Sequence, residues 1–418
     1  MEYLTPNFTK EMMKDYTVLI PNMAPIQFRL CKAALESEGY HRVELVSSRS
    51  PDVLRLGLKY VHNDTCYPAL LIIGQFLEAL ESGRYDLDHT ALVISQSGGG
   101  CRASNYIKLL RKALVNAGYG NIPVASANVS GLEKDSVLPV TKRGLVKLIM
   151  AFQYGDLLMA LRNQTKPYEV HPGETEALCD AWVNRIASWM KENRHVGLFS
   201  YRFVFEKAAR EFAAVEVNKI PKVKVGVVGE IYVKFSPDGN NDLLHFLEEQ
   251  GCEVNFPGIV GYGEYCLANY ITDTKYYGLN PMIGRIAKIA LAYADHMGNV
   301  YSSVLRKYGF YAPGSFYDLM KKPEGILDIG TKMGEGWLLT AEMIELIEGG
   351  YSNIVCAQPF GCLPNHIAGK GVINQIRSRF PDANITPVDY DPSASRVNQE
   401  NRIRLMLAVG REQLEQQK

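Results

Sequence analysis

The sequence predicts an α/β protein that has two parallel-sheet domains joined by a helical connector. Two stretches of the 418-residue chain, 16–126 and 223–388, alternate short apolar strands with helices, which is typical of doubly wound parallel sheets. The stretch between them has helical periodicity throughout. We therefore predict a first α/β domain at 1–131, a connector at 132–219 and a second α/β domain at 220–418.

The predicted elements of the first domain are strands at 16–21, 42–46, 90–94 and 122–126 and helices at 28–37, 66–82 and 105–117. Those of the second domain are strands at 223–228, 253–257, 353–357 and 385–388 and helices at 242–250 and 340–348. Both domains contain the same local pattern, in which a strand leads through a glutamine to a cysteine and then a helix. The residues are Gln96 and Cys101 in one domain and Gln358 and Cys362 in the other. We therefore expect the corresponding loops to face each other.

The overall composition excludes several classes of function. Lys plus Arg and Asp plus Glu are equal at 45 each, so the chain lacks the basic excess typical of nucleic-acid-binding proteins. The first residues lack the pattern of a signal peptide, and no run of 18 apolar residues occurs. The apolar stretch 145–161 is interrupted at helical spacing by polar residues, which favours an amphipathic helix. We expect a cytoplasmic protein that binds neither nucleic acid nor membrane.

Three of the eight cysteines are placed where a strand is predicted to give way to a helix: Cys66, Cys101 and Cys362. Such turns expose side chains at the sheet edge where open α/β folds bind ligands. The absence of any Cys-x-x-Cys pair means that a metal site must be assembled from distant segments. If these three thiolates converge on one cleft, they would hold an iron–sulfur cluster with one iron open.

Other residues of the same loops are candidates for supporting roles. Backbone N–H and hydroxyl groups of the glycine-rich turns can donate hydrogen bonds to an anionic cluster. The candidates for contacting the cluster in this way are Ser97, Gly99, Gly100 and Gly361. Polar candidates for catalysis are Gln96, Gln358 and Glu230, and Asn63 lies nearby. Glu230 ends a predicted strand, where it is either a base or substrate anchor or a helix cap. A zinc site completed by His366 is an alternative, although that histidine more plausibly caps or packs.

Four segments, 60–69, 94–103, 229–237 and 358–366, resemble the 2-hydroxyacyl-CoA dehydratase component family, in particular the branch often fused behind an activase. The resemblance extends from Tyr16 to Leu407. It implies two flavodoxin/Rossmann-like domains with a [4Fe-4S] cluster in the interdomain cleft, held by Cys66, Cys101 and Cys362. It also implies a separate ATP-hydrolysing iron–sulfur activase that supplies one low-potential electron, while the open iron acts as Lewis acid and electron donor on an acyl-CoA.

A related branch implies a second possibility. Double-cubane cluster proteins reduce small molecules such as acetylene with an [8Fe-9S] cluster that needs six thiolates. The extra ligands would then be Cys31, Cys266 and Cys356, whereas we expect Cys179 and Cys252 to pack in the core. The sequence leaves open a dehydratase-like lyase, an ATP-dependent reductase and a non-catalytic electron-relay or cluster-assembly subunit. The family precedent favours a homodimer or a heterodimer with a homologous subunit.

Overall fold

A computed structural model describes residues 5–62, 64–97, 100–127 and 137–416 of the chain. These residues form two four-stranded parallel sheets. The first sheet has the spatial order β2-β1-β3-β4 and comprises β1 Thr17–Pro21, β2 Arg42–Val46, β3 Thr90–Ser95 and β4 Val124–Ala127. The second has the order β6-β5-β7-β8 and comprises β5 Lys224–Gly229, β6 Glu253–Asn255, β7 Asn353–Pro359 and β8 Asn384–Tyr390. The prediction of two parallel-sheet α/β units is therefore confirmed, and both units have the same strand order.

Helices pack on both sheets. Further helices, which lie between the two sheet-forming segments in the sequence, form a separate layer. Those of the first unit are α1 Pro25–Glu36, α2 Pro51–Tyr60, α3 Tyr67–Glu81 and α4 Tyr106–Asn116. The others, in chain order, are α5 Lys142–Thr165, α6 Glu174–Glu192, α7 Tyr201–Ala213, α8 Ile231–Phe235, α9 Leu243–Glu249, α10 Ile259–Tyr277, α11 Pro281–Lys307, α12 Phe316–Leu319, α13 Trp337–Glu348, α14 Ile373–Arg379 and α15 Arg396–Gln416. A π-helical turn, Asn365–Gly369, follows Cys362.

Helix α3 is apolar on all sides because it lies between the two sheets. Its buried residues share one hydrophobic core with strands of both domains. It also packs closely against α2, and glycine makes this approach possible. A Cβ at Gly57 would lie 2.3 Å from the Leu70 carbonyl oxygen, and one at Gly74 would lie 2.0 Å from that of Val53. This close contact fixes the first residues of α3, and therefore Cys66, relative to the sheet.

The helical layer is larger than the sequence predicts. The connector helices α5, α6 and α7 form a core around Tyr154, Trp182 and Phe205. Helix α11, in a stretch for which the sequence analysis assigned no element, adds Met297 and Leu305 to the same core. Helix α10 packs along α11 and contacts α5. The helical layer is therefore built from segments that precede β5 in the sequence and from segments that follow β6.

Helix α5 is long and apolar enough to cross a membrane by length and composition alone. Most of that helix is buried within the protein, however, and two of its charged residues are buried and paired. Lys147 Nζ lies 2.7 Å from a carboxylate oxygen of Glu38, and Asp156 accepts a hydrogen bond of 2.8 Å from Gln27. These properties are those of a core helix and are consistent with a soluble protein.

Candidate metal centre

The loops that carry Cys66 and Cys362 meet directly. Cys66 is the N-cap residue of α3, and the next amide, that of Tyr67, donates a hydrogen bond of 3.2 Å to the carbonyl oxygen of Phe360. Gly361 has a positive φ of 76° and faces Cys66, whose Cα would lie 3.5 Å from a Cβ at that glycine. This contact places the carboxyl edge of β7 against the first turn of α3.

The Cys101 loop completes the junction. Arg102 donates a hydrogen bond to the carbonyl oxygen of Asp64, which ties the Cys101 and Cys66 loops together. Gly334 lies between the Cys101 and Cys362 loops. A Cβ there would lie 4.0 Å from the Cys101 sulfur and 2.9 Å from Cγ of Pro364, two residues beyond Cys362. The structure therefore brings together the three loops that the sequence identified as a candidate site.

Side chains that can donate a hydrogen bond lie beside two of the three sulfurs. The Tyr106 hydroxyl lies 2.7 Å from the Cys66 sulfur, and the Asn365 amide nitrogen lies 3.3 Å from the Cys362 sulfur. At the third, the Ser97 side chain acts to lower the pKa of the Cys101 thiol, against the larger effect of burial. Donors of this kind orient thiolate ligands and tune the metal centre that the thiolates bind. The residue types and positions thus fit a cysteine-bound cluster.

The thiols lie in an environment that disfavours thiolates when no cation is present. Burial, together with the negative charge of Glu230, raises the pKa of the Cys66 thiol to about 11. Burial and the nearby carboxylates of Glu230 and Glu335 also raise the pKa of Cys101 and, more strongly, that of Cys362. Within the described residues, no three Cys, His, Asp or Glu side chains are close enough to bind a single metal ion.

A zinc ion and a cubane cluster require different spacings of the sulfurs. A single zinc ion binds each thiolate at about 2.3 Å, so its four ligands must nearly touch one another. In a cubane cluster each cysteine binds a different iron, so the sulfurs stand farther apart. The sequence analysis offered His366 as the fourth ligand of a zinc site. Its Nδ1 lies 2.8 Å from the Cys362 carbonyl oxygen, and its Nε2 lies 3.9 Å from the Asp389 carboxylate. Both ring nitrogens of His366 therefore face partners other than the three sulfurs.

No protein-family model matches the chain, and a search of curated proteins finds no match. The family suggested by the four cysteine and glutamate segments therefore stays a prediction. The functional assignment depends on the arrangement of side chains at the junction of the three loops.

Two carboxylates lie beside the cysteines, a buried one on Glu335 and a partly buried one on Glu230, and the sequence analysis identified only Glu230. Glu230 caps α8 by accepting a hydrogen bond of 2.9 Å from the Val233 amide. Glu335 accepts one of 3.0 Å from the Ile231 amide and shares Asn365 with Cys362. Burial, together with the charge of Glu335, raises the pKa of Glu230 to about 8. The two carboxyl groups titrate as a pair, because they repel each other when both are charged. Near pH 7 this repulsion favours the state in which one of the two is protonated.

The two glutamines have different environments, although they precede corresponding cysteines. The Gln96 amide donates a hydrogen bond of 2.8 Å to the Ser104 carbonyl and accepts one of 3.1 Å from the Ser126 hydroxyl. Gln96 is thus engaged in holding β3, β4 and the Cys101 loop. Gln358 is fully buried at the end of β7, and neither its amide oxygen nor its nitrogen has a partner among the described residues.

The glycine-rich turn before Cys101 is only partly described. The Gly100 amide is at the surface and donates a hydrogen bond of 3.3 Å to the sulfur of Met333, so another group already engages it. Gly99, the other glycine proposed for this role, and Asn63 lie outside the described residues. Among the described candidates for contacting a cluster, Gly361 directly faces a ligand cysteine, Cys66.

The remaining cysteines are distributed over different parts of the protein. Cys31 and Cys179 are in the core of the helical layer, and Cys252 is in the core beside β6. Cys356 is buried within β7 in a separate cluster on the other face of the second sheet, where burial raises its thiol pKa to about 12. Cys266, on α10, is the exception, because its pKa responds to Glu335 of the cysteine site. The structure does not bring Cys31, Cys266 and Cys356 together as one set.

Proposed function

We propose that this chain is the iron–sulfur component of an ATP-dependent, low-potential reductase or dehydratase system, similar to 2-hydroxyacyl-CoA dehydratases. Cys66, Cys101 and Cys362 would hold one [4Fe-4S] cluster at the cleft between two flavodoxin/Rossmann-like domains. The observation that carries the proposal is that three cysteine loops from distant parts of the chain meet and that two of the sulfurs have their own hydrogen-bond donors. Isolated packing cysteines need no such donors.

When bound, a cluster held by three cysteines supplies an electron and an open iron that accepts an oxygen ligand. The residues around it have roles that follow from their positions. Tyr106 and Asn365 orient the sulfurs of Cys66 and Cys362, and the pair of Glu230 and Glu335 holds a proton beside them. The unpaired amide of Gln358 is suited to orient a polar substrate group. This arrangement suits a reaction in which electron transfer is accompanied by proton movement, as elimination or reduction requires.

The surface near the cysteine loops suits a protein that delivers electrons. Four large apolar side chains are about half or more exposed there: Met333, Phe360, Leu363 and Ile367. Apolar side chains grouped at one surface are typical of a protein–protein contact. We assign this rim to a separate ATP-hydrolysing activase, because the chain has no Walker-type phosphate loop of its own. The cytoplasm is the expected compartment for such a system.

A second apolar surface favours a dimer. It is formed by the end of α10 and the start of α11, where seven side chains are between 46% and 73% exposed: Tyr276, Tyr277, Leu279, Met282, Ile283, Ile286 and Ile289. If each side chain has about 180 Å² of surface when fully exposed, the seven together present roughly 700 Å² of apolar surface to solvent. This is close to the area that each partner buries in a stable interface. The spacing of Met282, Ile286 and Ile289 forms a seam like that of a helix pair. We assign this surface to a second copy of the chain, and a heterodimer would be revealed by co-purification.

The proposal is tested by anaerobic purification or reconstitution followed by iron, sulfide and zinc analysis. We expect about four irons per chain, a brown colour and no stoichiometric zinc. Replacing Cys66, Cys101 or Cys362 singly with Ala should abolish most of the bound iron, whereas Cys179→Ala, in the helical core, should leave it unchanged. A colourless protein with one zinc per chain would overturn the cluster assignment.

The double-cubane alternative makes a different prediction from the same measurement. It requires about eight irons per chain and loss of half of them when Cys31, Cys266 and Cys356 are replaced together. The separate locations of Cys31 and Cys356 favour the single cluster. Assays with an activase and ATP, using a 2-hydroxyacyl-CoA in one arm and acetylene in the other, distinguish a lyase from a reductase. Turnover in neither arm, with the cluster intact, would favour an electron-relay subunit.

A further inference from the structure

A cavity of about 130 Å³ lies between the helical layer and the second sheet, away from the three cysteines. Helices α5, α10, α11 and α13 surround it. The residues that line it include five carboxylates and no lysine, arginine or histidine. The carboxylates are Asp156, Glu264, Asp295, Glu342 and Glu345. A pocket with this lining favours either bound protons or a positively charged ligand.

Backbone amides fix three of these carboxylates in place. Asp156 accepts a hydrogen bond of 2.9 Å from the Val260 amide, Asp295 one of 2.7 Å from the Phe316 amide, and Glu345 one of 3.0 Å from the Gly314 amide. Hydrogen bonds of this kind favour the charged form of a carboxylate. They hold the negative groups at the cavity wall without neutralising them.

The other two carboxylates differ in their partners. Glu342 is paired with the buried ammonium of Lys234, at 3.2 Å, so its charge is compensated. Glu264 accepts no hydrogen bond or ion pair from any described residue. Burial, together with the charges of Asp295, Asp156 and Glu345, raises the pKa of Glu264 to about 8. Apart from Glu342, the carboxyl groups of this cavity therefore make no ion pair with a described residue.

Two neutral oxygens at the cavity wall also lack partners. Gln153 and Ser302 line the cavity and are 4% and 2% exposed. The amide oxygen of Gln153 and the hydroxyl oxygen of Ser302 have no hydrogen-bond partner in the part of the chain that the structure describes. Leaving a buried polar atom unpaired costs about 1–3 kcal/mol, so these oxygens indicate a ligand that the carboxylates alone do not.

We propose that this cavity binds a hydrated Mg²⁺ ion, which links α5, α10, α11 and α13. Carboxylate, amide and hydroxyl oxygens are the ligands that hard cations prefer. Because no three acidic side chains of the described residues converge closely enough to ligate a bare ion, the ion keeps several waters. Mg²⁺ commonly binds this way, through one or two carboxylates, whereas Ca²⁺ takes six to eight oxygens directly. The retained waters donate hydrogen bonds to the Gln153 and Ser302 oxygens and to the carboxylates that the ion does not reach.

The site is tested by thermal unfolding of the chelator-treated full chain, with MgCl₂ compared with KCl at equal ionic strength. We expect Mg²⁺ to raise the midpoint by about 2–4 °C. Glu264→Gln should abolish this rise and increase the midpoint of the metal-free protein, because the amide is neutral without having to hold a proton. The matched control is Glu412→Gln on exposed α15, which should behave as wild type.

Calorimetric titration with Mg²⁺ gives an independent measurement, with one ion expected per chain. Absence of a Mg²⁺-specific rise in wild type would overturn the proposal, as would an undiminished rise in Glu264→Gln. Stabilisation by putrescine but not by Mg²⁺ would equally overturn the assignment, because it would identify a site for an organic amine. None of these results depends on whether the cysteines bind iron.

Discussion

Gly334 provides a sharp test of how the three cysteine loops pack. It lies between the Cys101 and Cys362 loops and has a positive φ of 58°. In Gly334→Ala, the left-handed backbone conformation alone would cost about 1–2 kcal/mol. The new Cβ would also lie 2.9 Å from Cγ of Pro364, a rigid ring carbon that can move only with its loop. Overpacking of this kind adds about 1–3 kcal/mol.

The matched control is Gly83→Ala, because Gly83 has a similar φ of 69° but no atom within 4 Å of its added Cβ. The difference between the two variants isolates the contact with the cysteine loops. We expect Gly334→Ala to lose about 1–3 kcal/mol more than the control, measured from urea midpoints at unchanged m value. It should also bind less iron after anaerobic reconstitution, while Gly83→Ala retains the wild-type content. Equal stability and equal iron content in the two variants would refute the packing described here.

Two further predictions concern buried charges. Lys234→Met leaves the Glu342 carboxylate buried without its partner and should cost about 3–5 kcal/mol of unfolding free energy. Adding Glu342→Met should recover most of this loss, as measured by urea unfolding. A Lys234→Met variant within roughly 0.5 kcal/mol of wild type, the usual effect of a surface substitution, would contradict the ion pair. The raised pKa of Glu264, about 8, means that the folded state holds a proton that the unfolded chain has already released. Without divalent cations, stability should therefore fall as the pH rises from about 5 to 8, by at most about 1.4 kcal/mol per unit for this group. Glu264→Gln should reduce that slope, and Glu412→Gln should not; equal slopes in wild type and Glu264→Gln would show that the carboxyl is not perturbed.

The strands follow largely from local sequence, and the helices α10 and α11 do not. The central strands of the second sheet, β5 and β7, are short apolar runs, which is typical of a buried parallel strand. The segment that forms α10 contains Gly261 and Gly263 near its start and Gly278 at its end, and glycine weakens a helix prediction. Helix α11 exposes Ile286 and Ile289 to solvent, so its apolar residues do not mark a single buried face. Tertiary packing against the connector, which no local pattern reveals, stabilises this helical pair.

The cysteines of the site are predictable because their turns are local features, whereas their neighbours depend on distant contacts. Tyr106 reaches Cys66 from α4, and Glu335 reaches the site from the segment before α13. The sequence offered one signal for Glu335, its position between Gly334 and Gly336 immediately before a helix. Both glycines have positive φ, which shapes the tight approach of this segment to the cysteine loops. Only the folded chain shows that a second carboxylate lies beside Glu230.

The similarity of the two sheets makes their differences informative. Gln96 and Gln358 precede corresponding cysteines at the ends of β3 and β7, the third strand of each sheet. The first is fully hydrogen-bonded within its own domain, while the second has two unpaired amide atoms in a fully buried position. An unpaired buried amide costs about 1–3 kcal/mol, and a residue retained only for packing would be replaced by an apolar side chain at lower cost. The asymmetry supports our proposal that Gln358, and not Gln96, supplies amide atoms to a ligand, because only Gln358 has both amide atoms without a partner among the described residues.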